Sequence, residues 1–368
     1  MTVEAQPAQA FSHSGKFFDV LGLALKNAFL SIISLTLYRF WARTSMRRRV
    51  WSRVWIMGDP LEYTGKAGEL VRGFLIAVPT FFLPAVFVFY VAPFALSRSA
   101  AGWLLFGFYV VSVPLVSAAR YWMRRYQLSR TRWRGIKLGL AGSGWSFAFA
   151  SSGWTLLQIL SLGWFTPAAR INRARLLWSN ARFGDQAFEF IDDGKSPQKG
   201  MWWPFALGWF AFPLAYFISL LAVFFGYAMA IGGGPMPNPS DNPVVFVLLA
   251  LGAVVLMFLL MVFFWAPYNA AAMNRIASLI SLDGARFRLR AKTFSLFLVS
   301  IAGILIWVFS LGFLAPLAGF LQVRYVIARL EIIGEPRFAE IGQSIVEAPR
   351  AGESLGEAFD LDMGVGVI

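Results

Sequence analysis

The chain has 368 residues, of which 58% are hydrophobic and 14% charged, with 33 basic and 19 acidic side chains, one histidine and no cysteine. Soluble domains average about 45–50% apolar and about 25% charged residues, so the composition argues against a soluble globule and predicts an all-α polytopic membrane protein. The lack of cysteine excludes disulfides, iron–sulfur clusters and thiolate chemistry, and a single histidine, His13, argues against bis-histidine haem.

The N-terminal stretch 1–16 has no basic region followed by an apolar core, so it does not read as a signal peptide and is expected to remain cytoplasmic. The next apolar segment, Phe17 to Tyr38, is short for a span: only twelve uncharged residues separate Lys26 from Arg39. Asp19 and Lys26 lie near its start, where snorkelling accounts for them. An Arg/Trp-rich amphipathic stretch follows, with Arg39, Arg43 and Arg47 at i, i+4 spacing on one helix face, joined by Arg48, Trp51 and Trp55. The stretches Gly73 to Ser97 and Ser99 to Ala119 are each long enough for the roughly 20 apolar residues a spanning helix needs, and Arg98 alone divides them.

The same succession then returns. An apolar segment, Trp145 to Thr166, leads into an arginine stretch with Arg170, Arg173, Arg175 and Trp178. Two further spans, Gly200 to Ser240 and Asn242 to Asn274, flank the breaker-rich IGGGPMPNPSDNP. A last apolar segment, Phe294 to Leu314, precedes Arg324 and Arg329, and the stretch 343–368 is an acidic tail expected to stay unfolded.

An offset of 127 places Phe11, Gly15, Ser34, Arg43, Arg48, Trp51 and Ser52 onto Leu138, Gly142, Ser161, Arg170, Arg175, Trp178 and Ser179. A further 149 takes Ser161, Gly163, Pro167 and Arg175 onto Ser310, Gly312, Pro316 and Arg324. The chain therefore reads as repeat unit 1 (17–140), repeat unit 2 (141–292) and a half repeat (293–342). Each unit opens with an apolar helix broken at SLT or SLG. Short alternating stretches at 61–65, 137–142, 188–192 and 286–291 have strand period; they pair into a small cytoplasmic sheet or remain ordered loops. Asp59, Asp185 and Glu335 each follow glycine, the setting of a turn former.

Residues 331–368 hold eight acids and two arginines, so 31 of the basic and 11 of the acidic residues precede them. In so apolar a chain this excess reflects the positive-inside rule rather than nucleic-acid binding. Seven ordinary spans would put arginine clusters on both faces. Four spans plus three segments that enter and return on the cytoplasmic side would gather them on one face, leaving Arg98 and Asp241 outside.

Arginine beside tryptophan at helix ends suits a headgroup region, where guanidinium meets phosphate. Arg43, Arg47, Arg48, Trp51, Arg170, Arg175, Trp178 and Arg324 are therefore candidate contacts for anionic headgroups, with topology anchoring as the plainer role. Gln158, Asn269 and Asn274 are the polar groups placed to face a cavity or a neighbouring helix. No catalytic motif occurs, and neither a cofactor, a metal nor an enzymatic activity is expected. Expected partners are membrane lipids, anionic ones among them, other membrane proteins, or the chain itself. A facilitative transporter or channel, with a site between broken helices, is the alternative.

The elements SLTLYRFWARTSMRRRVWS and DPLEYTG, LSRTRWRGIKLG, and LGWFTPAARINRARLLWS resemble the bacterial YjgN-like family, the domain of unknown function 898, over about residues 11 to 342. The resemblance implies a multi-pass protein of the bacterial inner membrane and supplies no activity or catalytic residues. The first copy reads Leu35-Thr36-Leu37 where the family usually has TLG, and lacks its proline.

Overall fold

The polar segments after the amphipathic helices close β-hairpins, and these hairpins line up into one sheet. A computed structural model describes residues 10–230, 242–334 and 341–342. The tail at 343–368, Glu335 and Asp241 lie outside the described residues. Strands β1 (Phe11–His13), β2 (Val54–Ile56), β3 (Asp59–Tyr63), β4 (Thr131–Trp133), β5 (Ile136–Leu140), β6 (Ala181–Phe183), β7 (Gln186–Phe190), β8 (Ile280–Leu282), β9 (Ala285–Leu289) and β10 (Leu330–Ile333) pair in sequence order. Every adjacent pair is antiparallel. The all-α expectation is thus corrected. The alternating stretches at 61–65, 137–142, 188–192 and 286–291 contribute to β3, β5, β7 and β9, and their partners are strands of only three or four residues.

Tight turns explain the pairing. Met57-Gly58, Arg134-Gly135 and Asp283-Gly284 have both central residues at positive φ (49° and 88°, 51° and 76°, 48° and 78°), the type I′ geometry that matches strand twist. The fourth turn carries Gly184 at φ 59°. An up-and-down sheet places alternate connections on opposite edges. The four tight turns therefore occupy one edge, and all five helical connections leave from and return to the other.

Two of those connections are long. Helices α3 (Ala67–Ala95) and α4 (Arg98–Ser129) form the first, and α7 (Trp202–Ala230) and α8 (Pro243–Ser278) the second; all four are long and apolar enough to cross a membrane. The chain is a membrane protein on this evidence. Helix α3 widens to π-helical turns at Val78–Phe82 and Phe87–Val91. Pro84 and Pro93 lack the N–H for an ordinary bond and crowd the carbonyl four residues back, which the wider turns relieve.

The other three connections share one plan. Helices α1 (Phe17–Ile33), α5 (Gly144–Leu160) and α9 (Thr293–Phe309) have 17 residues each, and α2 (Arg39–Trp51), α6 (Thr166–Trp178) and α10 (Ala315–Ile327) have 13. At 1.5 Å per residue these are about 25 Å and 20 Å long, against about 30 Å of bilayer hydrocarbon. The turn between them is the same each time. The hydroxyls of Ser34, Ser161 and Ser310 accept the N–H groups of Tyr38, Phe165 and Leu314 at 2.9, 2.9 and 3.0 Å. Two residues then take left-handed backbone: Leu35 and Thr36, Leu162 and Gly163, Leu311 and Gly312. The break is present in the first copy although threonine replaces glycine there.

These turns fold each second helix back along the first. Asn27 Nδ2 on α1 donates to Ser45 Oγ on α2 at 3.1 Å. On α9, a Cβ added to Gly303 would stand 3.4 Å from the Cβ of Ala318 on α10. Among the described residues β10 and β1 share no backbone pairing. Side chains cover that seam instead: Phe11, Val20, Met46 and Val50 pack with Leu317, Phe320 and Val323 in one buried cluster.

Candidate functional site

Closing the sheet through its ends brings the first helix pair against the last. Between them lies a groove of about 320 Å³. One wall is the arginine face of α2, where Arg39, Arg43 and Arg47 follow each other at one-turn intervals; all three line the groove and are half-buried. The opposite wall is the α9–α10 turn with Trp307, Leu311, Phe313 and Pro316; Met46, Val50 and Trp51 also line the groove, with Ser31 and Thr36 as its hydroxyl-bearing residues. Among the described residues that line it, none is acidic. A guanidinium presents parallel N–H groups that match phosphate or carboxylate oxygens, so three of them beside an aromatic and aliphatic wall suit an anionic group attached to hydrocarbon.

Neighbours hold this wall in place. The Arg39 guanidinium lies 5.1 Å from the ring centroids of both Phe40 and Phe74, and that of Arg47 6.0 Å from Tyr63. Trp51 donates its indole N–H to the hydroxyl of Thr131 at 3.1 Å. Of the residues singled out from the sequence, the groove gathers Arg43, Arg47 and Trp51.

The remaining candidates stand elsewhere. Arg48 donates to the carbonyl of Gly65 at 3.3 Å. Arg170 donates to Asn269 Oδ1 at 2.8 Å and lies over the ring of Tyr268. Arg175 lies over Phe190 at 5.4 Å, and Trp178 packs edge-on against Phe188. Arg324 is exposed on α10, close enough to His13 for its charge to disfavour protonation of that imidazole. Asn274 is a structural clamp: its Nδ2 donates to the carbonyl of Ala291 at 2.9 Å, and its Oδ1 accepts the Ala291 N–H at 2.7 Å.

Two features escaped the sequence reading. The aromatic wall from the α9–α10 turn is one, because nothing local marks it as the neighbour of α2. The bonding of Arg173, named in the sequence only as part of an arginine stretch, is the other: it donates to Ser151 Oγ, Thr155 Oγ1 and Gln158 Oε1 at 3.0, 2.9 and 2.9 Å. A signal for it existed, since residues 151, 155 and 158 form an i, i+4, i+7 polar stripe on α5.

Searches among curated proteins and among solved structures find no match to this chain. A family model described as a bacterial protein of unknown function, DUF898, matches residues 8–359. With nearly its whole length covered by that match, the chain belongs to the DUF898 family, the YjgN-like family of bacterial proteins.

Proposed function

We propose that this protein is a non-catalytic component of the bacterial inner membrane that binds anionic lipid headgroups in the groove between its first and last helix pairs. The observation that carries this reading is the convergence of Arg39, Arg43 and Arg47 on one groove backed by aromatic and aliphatic side chains. The chain acts as a set of repeat units, two complete and one half, whose short helix pairs enter and return on the cytoplasmic side. In that arrangement the sheet and both termini face the cytoplasm, and the arginines of α2, α6 and α10 lie near one leaflet, in keeping with the positive-inside rule. Transport is the weaker reading. The cavity of about 470 Å³ between α7 and α8 is lined by apolar side chains apart from Tyr216, Ser219 and Tyr227, a poor path for a polar solute.

The test uses the full chain in nanodiscs of phosphatidylcholine with phosphatidylglycerol. Native mass spectrometry of the released protein should show phosphatidylglycerol retained several-fold over its share in the disc. The Arg43→Ala/Arg47→Ala double variant should lose that preference. Equal retention of both lipids by the unaltered chain would refute the reading.

A further inference from the structure

We propose that the lumen enclosed by the ten-stranded sheet is a second binding site, and that it takes the end of a lipid hydrocarbon chain. The lumen is a cavity of about 190 Å³ to which every strand contributes a side chain, including Phe11, Leu61, Trp133, Phe183, Phe188 and Phe287. Among the described residues that line it, Thr131 alone bears a hydroxyl, and that group is already committed: it donates to the carbonyl of Gln127 at 2.9 Å and accepts the indole N–H of Trp51.

A buried water requires two to four polar partners, which this wall does not offer. Dry apolar cavities of about 150 Å³ bind benzene. The lumen therefore has room for a hydrocarbon segment of similar size, and each methylene transferred into it is worth about fourfold in affinity.

The source of the chain follows from the placement of the lumen. Ala277 and Val326, near the C-terminal ends of α8 and α10, line it on the edge from which all helices leave. Each of the four membrane-crossing helices has one end at that edge, so bilayer hydrocarbon lies on that side of the sheet. The arginine groove adjoins it: Trp51 lines the groove, and its hydrogen-bond partner Thr131 lines the lumen. One indole thus separates a place for an anionic group from a place for a chain. The inference rests on the headgroup reading only in naming an anionic amphiphile as the bearer of that chain.

The experiment exposes the full chain in detergent to a fatty acid with a diazirine at its terminal carbon and maps the photo-adducts by peptide mass spectrometry. Adducts are expected on β6, β7 and β9. Filling the lumen with Ala277→Phe, or with the milder Leu138→Trp should the first fail to fold, should reduce them at least about fivefold while phosphatidylglycerol retention in nanodiscs stays unchanged. Adducts confined to the long helices, or undiminished in the filled variants, would overturn the proposal. An uncharged terminal-diazirine alcohol separates the two readings. If the Arg43→Ala/Arg47→Ala chain still labels in the lumen with this probe, the chain site stands without the headgroup site. If the unaltered chain retains phosphatidylglycerol but neither probe reaches the lumen, the headgroup site stands alone.

Discussion

The indole N–H of Trp51 reaches the hydroxyl of Thr131 at 3.1 Å across 80 residues of sequence. It ties the last residue of α2 to the first residue of β4 and so fixes how the first helix pair sits on the sheet. Trp51→Phe keeps most of the ring and removes the donor, with an expected loss of about 1 kcal/mol. Trp51→Ala should cost about 3 kcal/mol, as large truncations of packed aromatics do. Denaturant unfolding in detergent measures both, and equal stability of all three proteins would show that this contact does not position the helix pair.

The three helix breaks predict opposite effects for opposite substitutions. Thr36 stands at φ 71° where Gly163 and Gly312 stand at 91° and 83°, and a side chain in left-handed backbone costs about 1–2 kcal/mol. Thr36→Gly should therefore raise stability by about 1 kcal/mol, whereas Gly163→Ala should lower it by a similar amount. At Gly163 the nearest atom to an added Cβ is 3.6 Å away, on Trp209, so the expected cost there is torsional. Ser161→Ala removes the acceptor of the Phe165 N–H and should cost about 1 kcal/mol. Thermal unfolding of the four proteins under one detergent condition decides the signs.

His13 makes stability depend on pH near neutrality. Burial first, and then the charge of Arg324, holds its imidazole below the ordinary value of 6.5. Its Nδ1 accepts the Gly15 N–H at 3.0 Å, so the neutral ring carries its hydrogen on Nε2. A depressed value means that the unfolded chain takes the proton more readily. The contribution is complete above pH 6.5 and is lost as pH falls below it. Because the chain has one histidine, its imidazole NMR signal titrates without ambiguity. A midpoint at or above 6.5 would contradict the expectation.

Asp193 and Arg275 set a second dependence, in acid. The hydrogen bonds of the guanidinium, at 2.7 and 2.9 Å, hold the carboxyl well below its ordinary value of 3.8. The stabilising contribution is present above that value and disappears as pH falls toward the lowered one. The gap in stability between the unaltered chain and Asp193→Asn should thus be constant at neutral pH and narrow below pH 3.8. Arg275 also donates to the carbonyls of Ser196 and Pro197. Arg275→Ala should accordingly loosen the 191–201 segment more than Asp193→Asn does, read as faster proteolytic cleavage there.

Much of the molecule was written locally. Long uncharged runs marked the four long helices, because crossing hydrocarbon demands apolar length from each helix by itself. The breaks after Ser34, Ser161 and Ser310 were visible as a recurring SLT or SLG. Alternation exposes the strands of five residues, and the glycine–acid pairs at 58–59 and 184–185 mark two of their turns. Strands of three residues such as β2 and β6 carry too few alternations to register, so the sequence shows at most a small sheet of four paired stretches where the structure has ten strands.

Tertiary structure decided the rest. No periodicity within α2 announces that Trp307 and Phe313, some 270 positions later, will face its arginines. That contact exists because ten short strands curve until β10 approaches β1, and α10 then covers the seam against α1 and α2. The lumen arises in the same way, from at least one side chain of each strand. Residue types and local spacing determined which segments this chain would send into a membrane; the curvature of the assembled sheet, a sum of many weak long-range contacts, determined which of its arginines meet and around what.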